Sequence, residues 1–138
     1  MVFASLFAFG AVALASATSD FHGQLFIGKS RRLCLESSRG YFPTAAPCDA
    51  TDAQLWSWSR DSQQLTSRGP SHDSSTWLHL HHWDLRGHLF VARNTSVDDE
   101  VDWCLAITYP LTQGHTSTLA QCNDQDDTQL FEFASATV

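Results

Sequence analysis

Positive charge is scarce in this sequence: eight Lys and Arg stand against 15 Asp and Glu, for a net charge of -7. Nucleic acid is therefore not an expected partner, because phosphate binding needs a basic footprint. An anionic membrane surface is disfavoured for the same reason. Long apolar runs are also missing. The longest, Leu6 to Leu14, falls well short of the ~20 residues that span a bilayer, so no membrane insertion of the mature chain is expected. Helical periodicity is lacking, since no window beyond a few residues spaces its apolar positions by three and four. Catalytic signatures are lacking as well: there is no Gly-x-Ser-x-Gly, no His-Glu-x-x-His and no phosphate loop. Neither an enzyme nor a cofactor is expected. The acidic bunches, Asp98-Asp99-Glu100 with Asp102 and Asp124 with Asp126 and Asp127, match no twelve-residue calcium loop with its glycine and terminal glutamate, and read as solvated loops.

What is present points outside the cell. The apolar run is followed by Ala15-Ser16-Ala17, the small-x-small form cut by signal peptidase, although no basic residue precedes the run. Residues 1–17 are read as a signal peptide and 18–138 as one domain. Cys34, Cys48, Cys104 and Cys122 make an even set in a chain bound for an oxidising compartment, so disulfides are the expected state. Asn94-Thr95-Ser96 is a glycosylation sequon. A secreted, extracellular protein follows.

Short apolar runs separated by Gly, Ser, Asp and Pro recur along the chain, which is an all-β pattern. Expected strands are 24–28, 32–37, 54–58, 63–67, 87–93, 103–107, 117–121 and 129–133. Comparing the chain with itself exposes a repeat. "GQLFIGK" from Gly23 returns as "GHLFVAR" from Gly87, "LCLES" from Leu33 as "WCLAI" from Trp103, and "PCDATDAQLWSW" from Pro47 as "QCNDQDDTQLFEF" from Gln121. A module of strand, Cys-Leu strand, Cys loop and Gln-Leu-aromatic strand thus occurs twice. Between the two, "LHLHHWDLRGHL" from Leu78 can be laid on "QLWSWSRDSQQL" from Gln54, which leaves room for only a shortened third copy. Four cysteines allow three pairings. Equivalent modules should close in the same way, which favours Cys34 with Cys48 and Cys104 with Cys122, each closure contributing roughly 2–4 kcal/mol.

The Cys-Leu, Cys and Gln-x-aromatic order of both modules resembles the ricin B-type β-trefoil lectins, including the cysteine-rich domains of the mannose receptor family, over most of residues 23–133. The resemblance implies a β-trefoil of three lobes with a degenerate middle lobe, and Trp56 and Phe131 in a shared core. It also implies non-covalent binding of glycans or glycoproteins. In such lobes a carboxylate near the first cysteine strand takes two sugar hydroxyls, a ring stacks on the pyranose and an amide completes the contacts. Carried over, the first lobe has Glu36 two residues after Cys34, with Tyr41 or Phe42 as the ring and Asp52 and Gln54 as further expected sugar contacts; Ala46 and Ala53 stand where the usual ring and amide would be. Asp49 and Asp52 have an alternative use in Asx turns. The last lobe carries Ala106, Ala120 and Thr128 at the three places, and is expected not to bind sugar in the usual manner. Two other readings fit the same residues: a structural or protein-binding trefoil with decayed pockets, anchored by exposed Trp77 and Trp83, or a fragment of a larger receptor or toxin. The oligomeric state is left open.

"WLHLHHW", Trp77 to Trp83, carries a separate possibility. Read as a strand, it places His79 and His81 on one face with the two tryptophans, where they are candidate zinc or copper ligands if His88, Asp84 or His72 comes near. The competing reading is a lobe strand with a Leu core face and a half-exposed Trp and His face.

Overall fold

The computed structural model describes residues 20–37, 42–67, 78, 81–93 and 101–134. They form ten strands: β1 (Asp20–Ile27), β2 (Leu33–Glu36), β3 (Thr44–Pro47), β4 (Leu55–Ser59), β5 (Leu65–Ser67), β6 (Trp83–Arg86), β7 (Leu89–Ala92), β8 (Trp103–Ile107), β9 (Ser117–Gln121) and β10 (Phe131–Phe133). Single 3-10 turns at Asp52–Gln54 and Asp127–Gln129 lead into β4 and β10. Strands β3 and β6 are additions to the eight expected ones. Both are short, with Ala and Pro in the first and Asp and Arg in the second, so neither has the apolar alternation that announces a strand.

One sheet runs β3-β2-β1-β4-β5 with β10 also on β1, and the other runs β6-β7-β8-β9. Two hydrogen bonds join them into a ring. The Phe131 N–H donates to the His88 carbonyl at 3.0 Å, and the Trp83 N–H donates to the Gln63 carbonyl at 2.6 Å. These bonds draw six strands, β1, β4, β5, β6, β7 and β10, together into a barrel. The hairpins β2–β3 and β8–β9 extend from β1 and β7.

The core repeats three times. Leu25, Leu65 and Phe90 supply one set, Leu35, Leu78 and Leu105 a second, and Trp56, Trp83 and Phe131 a third; all nine are buried in a single cluster. In two lobes the indole ties the sets together: Trp56 Nε1–H donates to the Leu35 carbonyl at 2.7 Å and Trp83 Nε1–H to the Leu78 carbonyl at 3.1 Å. A buried indole needs such a partner, and the equivalent Phe131 does without one because it has no N–H. Trp58, two residues from Trp56 on the same face of β4, is buried too and donates to the Trp83 carbonyl at 3.1 Å. This threefold arrangement is the β-trefoil: β1–β4 form the first lobe, β7–β10 the last, and β5 with β6 the shortened middle lobe. Between β5 and β6 the described residues are Leu78, His81 and His82, and no strand pair is found among them.

The sequence alignment of the modules needs two corrections. The paired strings suggest that Leu25 matches Leu89, but Phe26 and Val91 are the residues that face the first cysteines, Cys34 and Cys104. Leu25 is therefore equivalent to Phe90, one position further on. A slip of one residue exchanges the two faces of a strand, and the inward face must carry the large apolar groups, so burial overrides the string match. In the middle lobe Trp83, not Leu80, takes the place of Trp56. Of "WLHLHHW" the structure describes Leu78 and His81 to Trp83: the His81 N–H donates to the Leu78 carbonyl at 3.2 Å, closing a turn before β6 begins. Trp83 has no exposed surface, so it is a core residue and not an interface anchor; Trp77 lies outside the described residues.

Cys34 bonds Cys48 and Cys104 bonds Cys122, the pairing expected from the repeat. Each bridge ties the hairpin's first strand to the loop that precedes the Gln-Leu-aromatic strand. On the surface, Asp84 pairs with both Arg86 and Arg93, and Arg86 also reaches Asp102. The hydrogen bond that Arg86 donates to Asp84, with Asp102 beside it, raises the already high pKa of the Arg86 guanidinium. The expected signal peptide at 1–17 and the sequon residue Asn94 lie outside the described residues.

Candidate functional site

Glu36 ends β2 opposite Thr44 of β3 and is half-buried. Its Oε1 accepts a hydrogen bond from Gln54 Nε2 at 3.0 Å. Gln54 itself is wholly buried at the end of the 3-10 turn. Its second N–H donates to the Pro47 carbonyl at 2.8 Å, while its Oε1 accepts from the Asp49 N–H at 2.9 Å and from Gln24 Nε2 at 3.0 Å. A side-chain amide has two donors and two lone pairs, and all four are used here. Gln54 has no capacity left for a ligand, and its chemical role at this site is to hold the Glu36 carboxylate. Among the described residues nothing else donates to Glu36, which leaves Oε2 and part of Oε1 as acceptors there.

The surrounding loop is built by local bonds. Asp49 Oδ1 accepts from the Thr51 N–H at 3.1 Å and from the Thr51 hydroxyl at 2.9 Å, an Asx turn that sets up the 3-10 turn. Asp52 is exposed on the first residue of that turn, and its carboxylate accepts no hydrogen bond among the described residues. Phe42 is 38% exposed just before β3. Tyr41 lies outside the described residues. Ala46, opposite Cys34, offers no ring.

The last lobe repeats this scaffold closely. Gln129 Oε1 accepts from the Asn123 N–H at 2.8 Å, and its Nε2 donates to the Gln121 carbonyl at 2.9 Å. Asn123 and Gln121 flank Cys122 as Asp49 and Pro47 flank Cys48. Where the first lobe has Glu36, the last has Ala106, buried and opposite Thr118. The frame is common to both lobes, while the carboxylate belongs to the first alone. Because Gln54 satisfies four groups and Gln129 two, Gln54→Ala is expected to cost about 2–3 kcal/mol of stability and Gln129→Ala less, since each buried partner left unpaired carries a desolvation penalty. Urea denaturation of the two variants checks the order; equal losses would mean that the extra bonds of Gln54 contribute nothing.

The histidine stretch is dispersed. His81 stacks on Trp83 with ring centroids 5.5 Å apart, and His82 Nδ1 lies 3.0 Å from the Ser62 carbonyl. Among the described residues no three His, Cys, Asp or Glu side chains gather closely enough to hold a metal. His79 and His72 lie outside them.

No family model matches the chain, and no curated protein matches it. Among solved structures it is similar to the β-trefoil lectin of the Vibrio vulnificus hemolysin/cytolysin, which was determined with N-acetyl-D-lactosamine bound. The TM-score is 0.52 at 15% identity, over 83% of this chain and 94% of that one. At that identity the likeness is one of fold.

Proposed function

We propose that this β-trefoil is a secreted carbohydrate-binding protein that recognises glycans non-covalently, with Glu36 of the first lobe at the centre of its pocket. The observation that carries the reading is the Glu36–Gln54 pair. A wholly buried amide spends one of its two donors on aiming a half-exposed carboxylate, and the acceptor capacity that the described residues leave on it matches a pair of sugar hydroxyls. Phe42, with Tyr41 beside it in sequence, supplies an aromatic face at the same loop, and Asp52 a second carboxylate. Gln54 acts through Glu36 without touching the sugar. Two disulfides and the signal-like leader support an extracellular setting, and the lectin among structures of this fold makes the class a natural one for it. Fold likeness by itself does not carry function, so the pocket residues must.

A glycan array probed with residues 18–138 tests the proposal. Binding that drops about tenfold or more in Glu36→Ala, the scale for one or two hydrogen bonds to a charged group, is the expected result. Binding that survives the change would move the site off the first lobe. The second reading, a protein-interaction trefoil with decayed sugar pockets, draws on the last lobe, where the Gln129 frame persists around Ala106. Silence across the array at high protein concentration would favour it.

A further inference from the structure

The N-terminal half of β1, the end of β10 and the β6–β7 turn enclose a cavity of about 480 Å³, lined among others by Asp20, Phe21, His22, His88, Glu132 and Phe133. None of these residues belongs to the Glu36 loop. Phe21 is 39% exposed although it sits in a strand. Its ring stacks on that of Phe133 at 5.6 Å between centroids and 12° between planes, and the pairing of Leu25 with Phe133 in β1 and β10 anchors both strands. The result is a fixed aromatic platform at the wall of an open cavity, where a solvated loop would normally present polar groups.

Among the described residues the polar groups around that platform are only partly engaged. Asp20 Oδ1 accepts one long bond there, from the Arg60 N–H at 3.3 Å. His22 Nδ1 lies 2.9 Å from the Ser57 hydroxyl. His88 Nδ1 faces the Phe131 carbonyl at 3.4 Å, which calls for a proton on Nδ1 and leaves Nε2 as an acceptor in the neutral ring. Glu132 pairs with Arg31, and Arg31 lines an adjoining cavity of about 230 Å³ that shares His88, Phe131 and Glu132 with the first. The groove therefore offers ring faces, carboxylate and imidazole acceptors, and a neutralised cation.

Ligand class follows from that inventory. Asp20 and Glu132 oppose an anion, and the described residues gather no trio of ligands for a metal. A neutral pyranose has an apolar C–H face for the rings and a hydroxyl rim for the acceptors, and cavities of this size, roughly 300–1,000 Å³, take small ligands. We propose that the groove between β1, β10 and the β6–β7 turn is a second carbohydrate pocket, independent of Glu36, in which Phe21 and Phe133 stack on the sugar and Asp20, His22 and His88 hold its hydroxyls.

The test is titration of residues 18–138 with N-acetyllactosamine, methyl β-galactoside and methyl α-mannoside, followed by two-dimensional NMR. The expected result is binding that shifts the His22 and His88 ring signals, persists in Glu36→Gln, and weakens about tenfold or more in Phe21→Ala and in Asp20→Asn. Asp20→Asn changes only an exposed group, so it remains informative if Phe21→Ala unfolds. Binding lost in Glu36→Gln and unchanged in Asp20→Asn overturns this pocket and leaves the first-lobe reading standing. The reverse pattern upholds this pocket for these three sugars, and the first-lobe reading is then decided by whether any glycan on the array depends on Glu36. No binding of any of the three sugars by the unaltered chain overturns the pocket proposed here, while the array decides the first-lobe reading separately.

Discussion

Trp83→Ala is expected to remove about 3–5 kcal/mol of folding free energy, the range for emptying a buried aromatic site. The side chain has no exposed surface, lies in the common core and donates its indole N–H to the Leu78 carbonyl. Truncation opens a cavity between the lobes and removes one of that carbonyl's two donors, the His81 N–H being the other. Against a total stability of about 5–15 kcal/mol for a domain of this kind, such a loss takes most of the margin. Trp83→Phe separates the two contributions. It keeps most of the ring and loses the N–H, so it should cost about 1–2 kcal/mol, and Phe131 already fills the equivalent place in the last lobe. Urea denaturation read by circular dichroism measures both. A Trp83→Ala loss below about 1 kcal/mol would mean that the middle lobe is not built around this residue.

Removing either disulfide, by Cys34→Ser with Cys48→Ser or by Cys104→Ser with Cys122→Ser, should cost about 3 kcal/mol. The two loops span 14 and 18 residues, and closure entropy rises only logarithmically with length. The two double variants should therefore be nearly equal in thermal melting, each falling by roughly 10 °C or more on the scaling for a domain of ~100 residues. A large inequality would show that one bridge does more than restrict the unfolded chain. The obvious source would be the Gln54 network, which reaches across the first bridge to Pro47 and Asp49. Loss of both bridges should leave a chain that does not hold its fold at 37 °C, because a small core supplies little surplus.

Much of the architecture was legible because repetition survives in short words. The two Cys-Leu strands and the two Gln-Leu-aromatic strands share enough residues to be matched, and that match favours the cysteine pairing the fold contains. The middle lobe was not legible, and the reason is specific. It has neither cysteines nor the Gln-x-Trp word; its His81 stands where Gln54 and Gln129 stand, and among the described residues only Leu65, Leu78 and Trp83 keep their core places. An alignment driven by identity therefore matched the leucines of "WLHLHHW" to the wrong positions. The same weakness misplaced the β1 and β7 match by one residue, since "LF" occurs in both strings and burial alone distinguishes the inward register.

The candidate site was partly legible. Glu36 could be found by counting two residues from Cys34, and the Asx turn at Asp49 was anticipated as one of its uses. The role of Gln54 could not be read, because whether an amide faces a ligand or four protein partners depends on groups from β1, β2, β3 and the Cys48 loop meeting at one point. The cavity walled by Phe21 and Phe133 was equally hidden, since its residues come from opposite ends of the chain.

The all-β class, the twice-used module, the favoured cysteine pairing and the presence of Glu36 in the first module against Ala106 in the last were legible in the sequence, because each depends on local pattern or on spacing within a module. Register, the tryptophan at the centre of the middle lobe, the filled valences of Gln54 and the groove between β1 and β10 were decided only by the barrel. The barrel sets which face of each strand points inward, and it brings together side chains that no local pattern relates.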